Sequence, residues 1–298
     1  MKIEGAGLTD RGRVRPHNED SVLIDVEHGV FAVADGMGGH AAGEVASSLA
    51  VETITHMLCR PREEGADLPD LLRRSIEEAN RRIAARGEAN PECRHMGTTV
   101  VAALADGGRF CIAHVGDSRA YLLRDGELHQ LTSDHSFVNE LVRLGMLSRE
   151  QAARDPRRNV VTRALGSGTV VAPDILESDA APGDTLLLCS DGLNTMLDDE
   201  RILAVVEACA ADVGLAGERL VEAANAAGGE DNISVVVVRF ADEDDVTAPT
   251  GAVPPRDAVP EPPTGQGAPG PDDAAPSGDA EDDPRDAEDA DTMERDEP

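Results

Sequence analysis

The chain has 298 residues and a formal net charge of −31, with 58 acidic residues against 27 lysines and arginines. Such a surface repels phosphates at long range, which argues against nucleic acid or an anionic membrane as a partner. No run approaches the roughly 20 apolar residues of a membrane span, and the N-terminus lacks a signal-peptide core, so we expect a cytoplasmic protein.

The negative charge is concentrated near the C-terminus. From Asp242 onward, 19 acidic residues stand against three arginines, a net charge of −16, in a segment rich in Pro, Ala and Gly. Such a segment buries too little apolar surface to offset the entropy of ordering. We predict a folded domain over 1–241 and a disordered acidic tail over 242–298. An interaction arm, a phosphate-mimicking inhibitor and a solubilising extension are open roles for the tail, and we favour the last.

Apolar runs and helical periodicity alternate along the folded part. Strands are predicted at 20–26, 29–34, 97–105, 109–115, 118–124, 185–189 and 232–240, and helices at 41–58, 68–86, 199–210 and 213–227. The Asp-Gly connections at 106–108 and 125–126 suit hairpins, so much of the sheet should be antiparallel. The polar section at about 134–162, with two short helical patterns, is interpreted as a flap. The pattern favours an α+β fold in which helices cover sheets.

Several common chemistries lack their motifs. The five cysteines are widely spaced without a C-x-x-C pair, so no disulfide framework or zinc site is indicated. Ser118 and Ser190 stand beside aspartates, but neither has a histidine at a fixed spacing or lies in a G-x-S-x-G elbow. The P-loop motif is also absent.

Five aspartates lie at the ends of apolar runs, next to Gly or Ser: Asp20, Asp35, Asp117, Asp191 and Asp231. A single Asp-Gly after a strand is more often a turn, and we interpret Asp125-Gly126 in that way. Burying an unpaired carboxylate is costly, so five such positions make sense if the side chains converge on cations. Oxygen ligands alone favour Mg²⁺ or Mn²⁺ over zinc.

The stretches around these aspartates occur in a distinctive order: R-P-H-N-E-D (15–20), A-D-G-M-G-G-H (34–40), M-G-T-T (96–99), V-G-D-S-R (115–119), S-D-H-S (133–136), T-R-A-L-G (162–166), C-S-D-G-L (189–193) and G-E-D-N-I (229–233). Over residues 5–240 the chain resembles the type 2C metal-dependent protein serine/threonine phosphatases, the PPM family, in its bacterial branch. The acidic tail has no part in the resemblance.

The resemblance implies an α-β-β-α sandwich of two antiparallel sheets flanked by helix pairs. It also implies hydrolysis of phosphoserine and phosphothreonine by a water that two Mn²⁺ or Mg²⁺ ions activate, with a third, weaker metal site in bacterial relatives. The implied roles are metal bridging by Asp35, a carbonyl contact to the second metal by Gly36, completion of the first metal by Asp191 and Asp231, water-mediated contacts by Glu19 and Asp20, a third metal at Asp117 with Asp191, and substrate phosphate binding by Arg15.

The leaving-group acid is where the sequence departs from the family pattern. Animal relatives have a histidine directly after the Asp-Gly pair, where this chain has Met37, and the nearest histidine is His40. His40 could protonate the departing oxygen, an ordinary helix-start histidine is an equal alternative, and a metal-bound water could do the work instead. Arg15 also has two neighbours, Arg11 and Arg13, that weaken its selection on pattern alone.

Three functions compete. The first is an active phosphatase, monomeric and acting on phosphorylated proteins, which opposes a cytosolic serine/threonine kinase. The second is a relative that dephosphorylates an anti-sigma-factor antagonist, although such proteins usually carry sensor domains. The third is a catalytically dead binding module, against which all five aspartates are present.

Overall fold

Two antiparallel sheets form the centre of the structure, a computed structural model that describes residues 1–38, 42–63, 65–168, 170–209 and 212–242. The strands are β1 Lys2–Asp10, β2 Asp20–Asp25, β3 Val30–Met37, β4 Gly97–Thr98, β5 Val100–Asp106, β6 Arg109–Val115, β7 Arg119–Arg124, β8 Glu127–Gln130, β9 Asp174–Asp179, β10 Thr185–Cys189 and β11 Ile233–Ala241. The helices are α1 Ala42–Leu58, α2 Leu68–Ala89, α3 Phe137–Arg143, α4 Arg149–Arg154, α5 Asp191–Asn194, α6 Asp199–Ala208 and α7 Val213–Ala226.

Strand order divides the chain into two sheets. One sheet has the order β1-β11-β10-β7-β8, and the other has the order β2-β3-β5-β6-β9, with β4 paired to β3. The paired strands are antiparallel throughout. Hairpin turns join β5 to β6 at Gly107-Gly108 and β7 to β8 at Asp125-Gly126, all four residues having φ between 55° and 88°. Both turns were predicted from their Asp-Gly sequences.

Three layers of apolar side chains show how the sheets and helices stack. Alternate residues of β3 point to opposite faces: Val30, Ala32 and Ala34 pack under α1 and α2, whereas Phe31 and Val33 face the other sheet. Strand β11 alternates in the same way between the layer under α6 and α7 and the layer between the sheets. The predicted α-β-β-α sandwich is therefore confirmed.

Some predicted elements differ from the structure. The predicted helices appear within a few residues of their expected ends, and α3 and α4 account for the two short helical patterns of the flap. Strands β1, β8 and β9 and helix α5 were not predicted. Of the tail at 242–298, only Asp242 belongs to the described residues, so the domain boundary and the disorder of the tail remain predictions. Among the helices of the described part, none is long and apolar enough to cross a bilayer.

Candidate active site

Asp20 and Asp35 face each other across neighbouring strands. They are direct partners in the antiparallel register of β2 and β3, at the end where β2 begins and β3 is about to end. The Gly36 N–H donates to the Glu19 carbonyl at 3.1 Å, which continues the pairing one residue further. An added Cβ at Gly36 would lie 2.4 Å from that carbonyl oxygen, so only glycine fits here.

Asp191 and Asp231 come from the other sheet. Asp191 is the first residue of α5, two residues after β10, and Asp231 lies two residues before β11. Because β10 and β11 are antiparallel neighbours, the end of one strand and the start of the other meet at the same edge. A Cβ at Gly192 would lie 2.0 Å from the Asn232 carbonyl oxygen, so glycine is what allows the two segments to approach so closely.

Asp117 lies in the short connection between β6 and β7 and is 8% exposed. The preceding residue, Gly116, has φ +110°, and a Cβ there would lie 2.5 Å from the Thr99 side chain. Glycine therefore lets this connection lie against Thr99, the residue between β4 and β5.

These segments meet in a cleft of about 550 Å³. Its walls include Arg15, Glu19, Asp35, Gly36, Asp117, Asp191 and Asp231. Seven of the predicted site residues thus share one cleft, and an eighth, Asp20, is the strand partner of Asp35 and is 8% exposed. The structure does not describe His40, the ninth.

The carboxylates raise one another's pKa values. Burial, and then the charges of four other aspartates, raise the pKa of Asp35 well above its ordinary value. Burial is also the largest cause that raises the pKa of Asp20 and of Asp117 to about 7 and that of Asp191 to about 6. This many acidic groups cannot all ionise together without a compensating positive charge.

The donor set fits divalent cations on two observations. The cleft carries carboxylate oxygens and a backbone carbonyl, which are the ligands that Mg²⁺ and Mn²⁺ prefer. Oδ1 of Asp20 is buried and has no hydrogen-bond partner, although Oδ2 of the same residue accepts from Ser190 at 2.8 Å and from Ser234 at 2.6 Å. A buried carboxylate oxygen left unsatisfied is expected where a cation or its water would lie.

Comparison with known proteins decides the family. The model of the family described as "Protein phosphatase 2C" matches residues 11–222. The chain belongs to the protein phosphatase 2C family.

Two curated members of the protein phosphatase 2C family illustrate the similarity. Serine/threonine protein phosphatase PstP of Mycobacterium tuberculosis is 44% identical over 244 residues, which cover 82% of this chain and 46% of PstP. The chain therefore spans about half the length of that relative. Serine/threonine phosphatase stp of Listeria monocytogenes is 40% identical over 235 residues, which cover 77% of this chain and 93% of stp.

Solved structures of the protein phosphatase 2C family share the fold. The crystal structure of the M. tuberculosis enzyme PstP/Ppp has a TM-score of 0.76 and 42% identity, covering 81% of this chain and all of that one. The catalytic domain of PstP in complex with two manganese ions has a TM-score of 0.74 and 43% identity, covering 80% of this chain and 99% of that one.

Among the three arginines of the N-terminal segment, Arg15 is the one that lines the cleft. Its Nη2 donates to Oδ2 of Asp231 at 2.6 Å, and its side chain is 53% exposed. Arg11 instead donates to the Pro16 carbonyl, and the Arg13 backbone pairs with Gly229. The structure thus separates Arg15 from its neighbours, which the sequence pattern alone could not do.

Polar residues that the sequence analysis overlooked hold the aspartates in place. The Asn232 side chain donates to the carbonyls of Arg11 and His17, both at 2.9 Å, and accepts from the Glu19 N–H at 2.9 Å. It therefore fastens the segment that carries Arg15 and Glu19 to the start of β11. Thr98 and Thr99 hold Asp35 in a similar way, since the Thr98 hydroxyl donates to its carbonyl and the Thr99 hydroxyl accepts from its N–H. All three residues lie inside motifs of the family, which was the available signal.

The leaving-group acid stays a prediction. Met37 lines the cleft directly after Asp35-Gly36, as the sequence comparison with animal relatives implied. His40 lies outside the described residues. Among the residues that the structure describes along this cleft, His17 is the one histidine.

The flap at 134–162 is fastened at its base. The Thr162 N–H donates to the His135 carbonyl at 2.7 Å, and the Phe137 N–H donates to the Val160 carbonyl at 2.8 Å. His135 also accepts the Gly116 N–H on Nδ1 at 3.1 Å, which ties the flap base to the Asp117 connection.

His135 and Asp174 belong to a group of three residues that could hold a metal together with His114. The hydrogen bonds argue against a metal there. Nδ1 of His135 is already an acceptor, and Nε2 of His114 faces the Ser133 carbonyl at 3.1 Å, so it must donate. The other nitrogen of neutral His135 then carries a proton towards Asp174. Burial lowers the pKa of His135 to about 4, so the ring is neutral near pH 7. We interpret the group as structural.

Proposed function

We propose that this chain is a metal-dependent protein phosphatase that hydrolyses phosphoserine and phosphothreonine in proteins. One observation carries the proposal: carboxylates from both sheets converge on a single cleft in which they raise one another's pKa values. A protein with a net charge of −31 needs local positive charge to accept an anionic substrate. Bound divalent cations would supply it.

The residues fit the roles expected of them. Asp35, Asp191 and Asp231, with the Gly36 carbonyl, would hold two Mn²⁺ or Mg²⁺ ions, while Asp20 and Glu19 would hold waters on those ions. Asp117 and Asp191 would form a third, weaker site. Such ions polarise a water and neutralise charge on the phosphoryl oxygens. The two manganese ions in the PstP complex support this assignment.

Arg15 would bind the substrate phosphate. Its guanidinium lies at the wall of the cleft and pairs with Asp231, so it is held beside the place where the phosphate must enter. A planar guanidinium can donate to two phosphate oxygens at once, which orients the phosphoryl group as well as attracting it. For the leaving-group oxygen we retain His40 as the candidate proton donor.

Phosphorylated proteins are the substrates that the relatives' names imply, and we propose that they include targets of a cytosolic serine/threonine kinase. All five cysteines are free thiols, which suits a reducing compartment such as the cytoplasm. We further propose that the chain acts as a monomer and that its tail is solubilising.

A direct experiment is hydrolysis of p-nitrophenyl phosphate with Mn²⁺, repeated with EDTA. We expect turnover that depends on the metal and is lost in Asp191→Asn. A folded protein without metal-dependent turnover would support the binding module instead. Comparing the full chain with a version ending at Ala241 tests the tail, since equal rates exclude self-inhibition.

A further inference from the structure

A second cavity of about 730 Å³ lies between the flap and the region of α5. Asp117, Asn159 and Asp191 line both this cavity and the metal cleft. The two spaces are therefore adjacent along a shared wall. A peptide whose phosphoserine enters the cleft would place neighbouring residues at this second cavity.

Two arginines of the flap, Arg149 and Arg158, line the cavity without an acidic partner among the described residues. Three other arginines nearby are paired. Arg119 makes a forked contact with Asp134, Nε to Oδ1 at 2.9 Å and Nη2 to Oδ2 at 2.7 Å.

Arg157 is paired with Asp155 at 2.9 Å, and Arg163 is paired with Asp174 at 2.8 Å. The guanidinium groups of Arg149 and Arg158 are therefore not neutralised by a carboxylate of the described residues, and both line the same cavity. Both side chains are exposed and free to turn towards a ligand.

The charge of the cavity favours an anion. The Arg119–Asp134 pair is neutral, and the cations of the proposed function would offset Asp117 and Asp191. The charges left in the cavity are then two positive ones, Arg149 and Arg158, and one negative one, Asp199, so the cavity carries a net positive charge. Val138, Val142 and Ala152 supply an apolar part of the wall that lowers the local dielectric and strengthens ion pairing.

We infer that this cavity is a subsite for an anionic side chain of the substrate, a second phosphate or a carboxylate, close in sequence to the phosphoserine or phosphothreonine that is hydrolysed. The inference rests on the proposed function. Arg149 and Arg158 are its specificity-determining residues, because guanidinium groups bind phosphate and carboxylate in the same forked geometry. Substrates with two neighbouring phosphates, or with one phosphate among acidic residues, are then preferred.

The test compares phosphopeptides that differ only beside the phosphothreonine. One set carries a second phosphothreonine, another a glutamate and a third an alanine, at positions up to about three residues away, since an extended residue spans about 3.3 Å. We expect the intact chain to have a kcat/KM about tenfold higher for the best anionic peptide than for its alanine counterpart. The two anionic sets distinguish phosphate from carboxylate.

The double variant Arg149→Gln/Arg158→Gln should lose that preference and leave kcat/KM for p-nitrophenyl phosphate unchanged. Arg154→Gln is the matched control, because Arg154 is an exposed arginine of the same flap and does not line the cavity. An intact chain without any anionic preference, or a double variant that keeps it, overturns the inference. If the intact chain does not hydrolyse p-nitrophenyl phosphate at all, that result counts against the proposed function instead.

Discussion

The Ser234 hydroxyl donates a 2.6 Å hydrogen bond to Oδ2 of Asp20 inside the sandwich. The Thr9 hydroxyl lies 2.7 Å from the Ser234 hydroxyl, and the Asn18 side-chain amide donates to the Thr9 hydroxyl at 2.8 Å. Because Ser234 gives its proton to Asp20, Thr9 must donate to Ser234, so the chain of donors runs in one direction towards the carboxylate. These bonds favour the ionised form of Asp20 and leave Oδ1 turned away from them.

Ser234→Ala should therefore weaken the binding of Mn²⁺. Loss of a hydrogen bond that orients a metal-site carboxylate typically costs about 10- to 100-fold in affinity. Isothermal titration of metal-free protein with Mn²⁺ measures the change directly. Ser178→Ala is the control, since among the described residues the Ser178 hydroxyl bonds only to the neighbouring Asp179 carbonyl. An unchanged Mn²⁺ affinity in Ser234→Ala would remove the orienting role.

Asp35→Asn should stabilise the metal-free protein while abolishing its activity. Burial and neighbouring charges raise the pKa of Asp35, so a neutral amide of the same shape removes repulsion from the cleft. We expect a higher Tm in EDTA at pH 7.5, no further rise with Mn²⁺, and turnover lower by about 1,000-fold or more. Asp106→Asn, at the last residue of β5, should change neither quantity. Turnover near the normal rate would contradict the assignment of Asp35.

The stability of the metal-free protein should fall as pH rises from 5 to 8. Burial is the main cause that raises the pKa of Asp20 and Asp117 to about 7 and that of Asp191 to about 6. The pKa of an aspartate in an unfolded chain is about 3.9. The folded state thus binds more protons than the unfolded state in this interval. The stabilisation is complete below pH of about 4 and is lost as pH passes through 6 to 7.

Calorimetry or dye-based melting in EDTA across this range tests the sign. Asp155, whose pKa its partner Arg157 lowers, contributes only at lower pH. His135 has the opposite effect below pH of about 6.5, because burial lowers its pKa to about 4 and it binds fewer protons in the folded state, but it is one group against three aspartates. Saturating Mn²⁺ should flatten the dependence. A Tm in EDTA that increases from pH 5 to 8 would show that the cluster is already neutralised by other groups.

Arg15→Ala should weaken the recognition of phosphate. We expect kcat/KM for p-nitrophenyl phosphate to fall about 100-fold and inhibition by inorganic phosphate to weaken in parallel, with Arg15→Lys intermediate because an ammonium cannot make the forked contact. Arg11→Ala is the matched control, since Arg11 bonds to the Pro16 carbonyl. Equal effects of the Arg11 and Arg15 variants would point to a general charge effect.

His40→Ala should slow the hydrolysis of substrates with poor leaving groups. A proton donor matters most when the departing oxygen is basic, so phenyl phosphate should be affected at least about tenfold more than p-nitrophenyl phosphate. His17→Ala serves as the comparison, because His17 also lines the cleft. A selective loss in His17→Ala alone would transfer the role to that residue.

Whether a strand could be predicted from the sequence depended on whether it is buried within its sheet or exposed at the sheet edge. The buried strands β3 and β10 are recognisable in the sequence as apolar runs. Strands β8 and β9 lie at sheet edges and are largely exposed, so they lack such a run. Strand β1 pairs with β11 along all nine residues, yet it contains Gly5 and Gly7. Added Cβ atoms there would lie 2.6 Å from Phe31 and 2.9 Å from Ile24. Packing between the sheets requires these glycines, which at the same time weaken the strand signal.

The aspartates of the candidate site could be predicted from the sequence, but the hydrogen bonds that hold them in place could not. Carboxylates at strand ends are visible as a pattern, since burial without partners would be costly. The bonds of Ser234 to Asp20 and of Asn232 to Glu19 join residues more than 200 positions apart. Ser, Thr and Asn occur throughout loops and strand ends, so their partners emerge only once the chain is folded.

Because Asp20 and Asp35 belong to one sheet and Asp191 and Asp231 to the edge of the other, neither half of the sandwich contains the whole of the proposed active site. A partly unfolded form in which the two sheets separate should show no phosphatase turnover, even if each sheet kept its secondary structure. Loss of activity during denaturation should consequently coincide with the parting of the two sheets, which makes turnover a sensitive reporter of cooperative unfolding in this molecule.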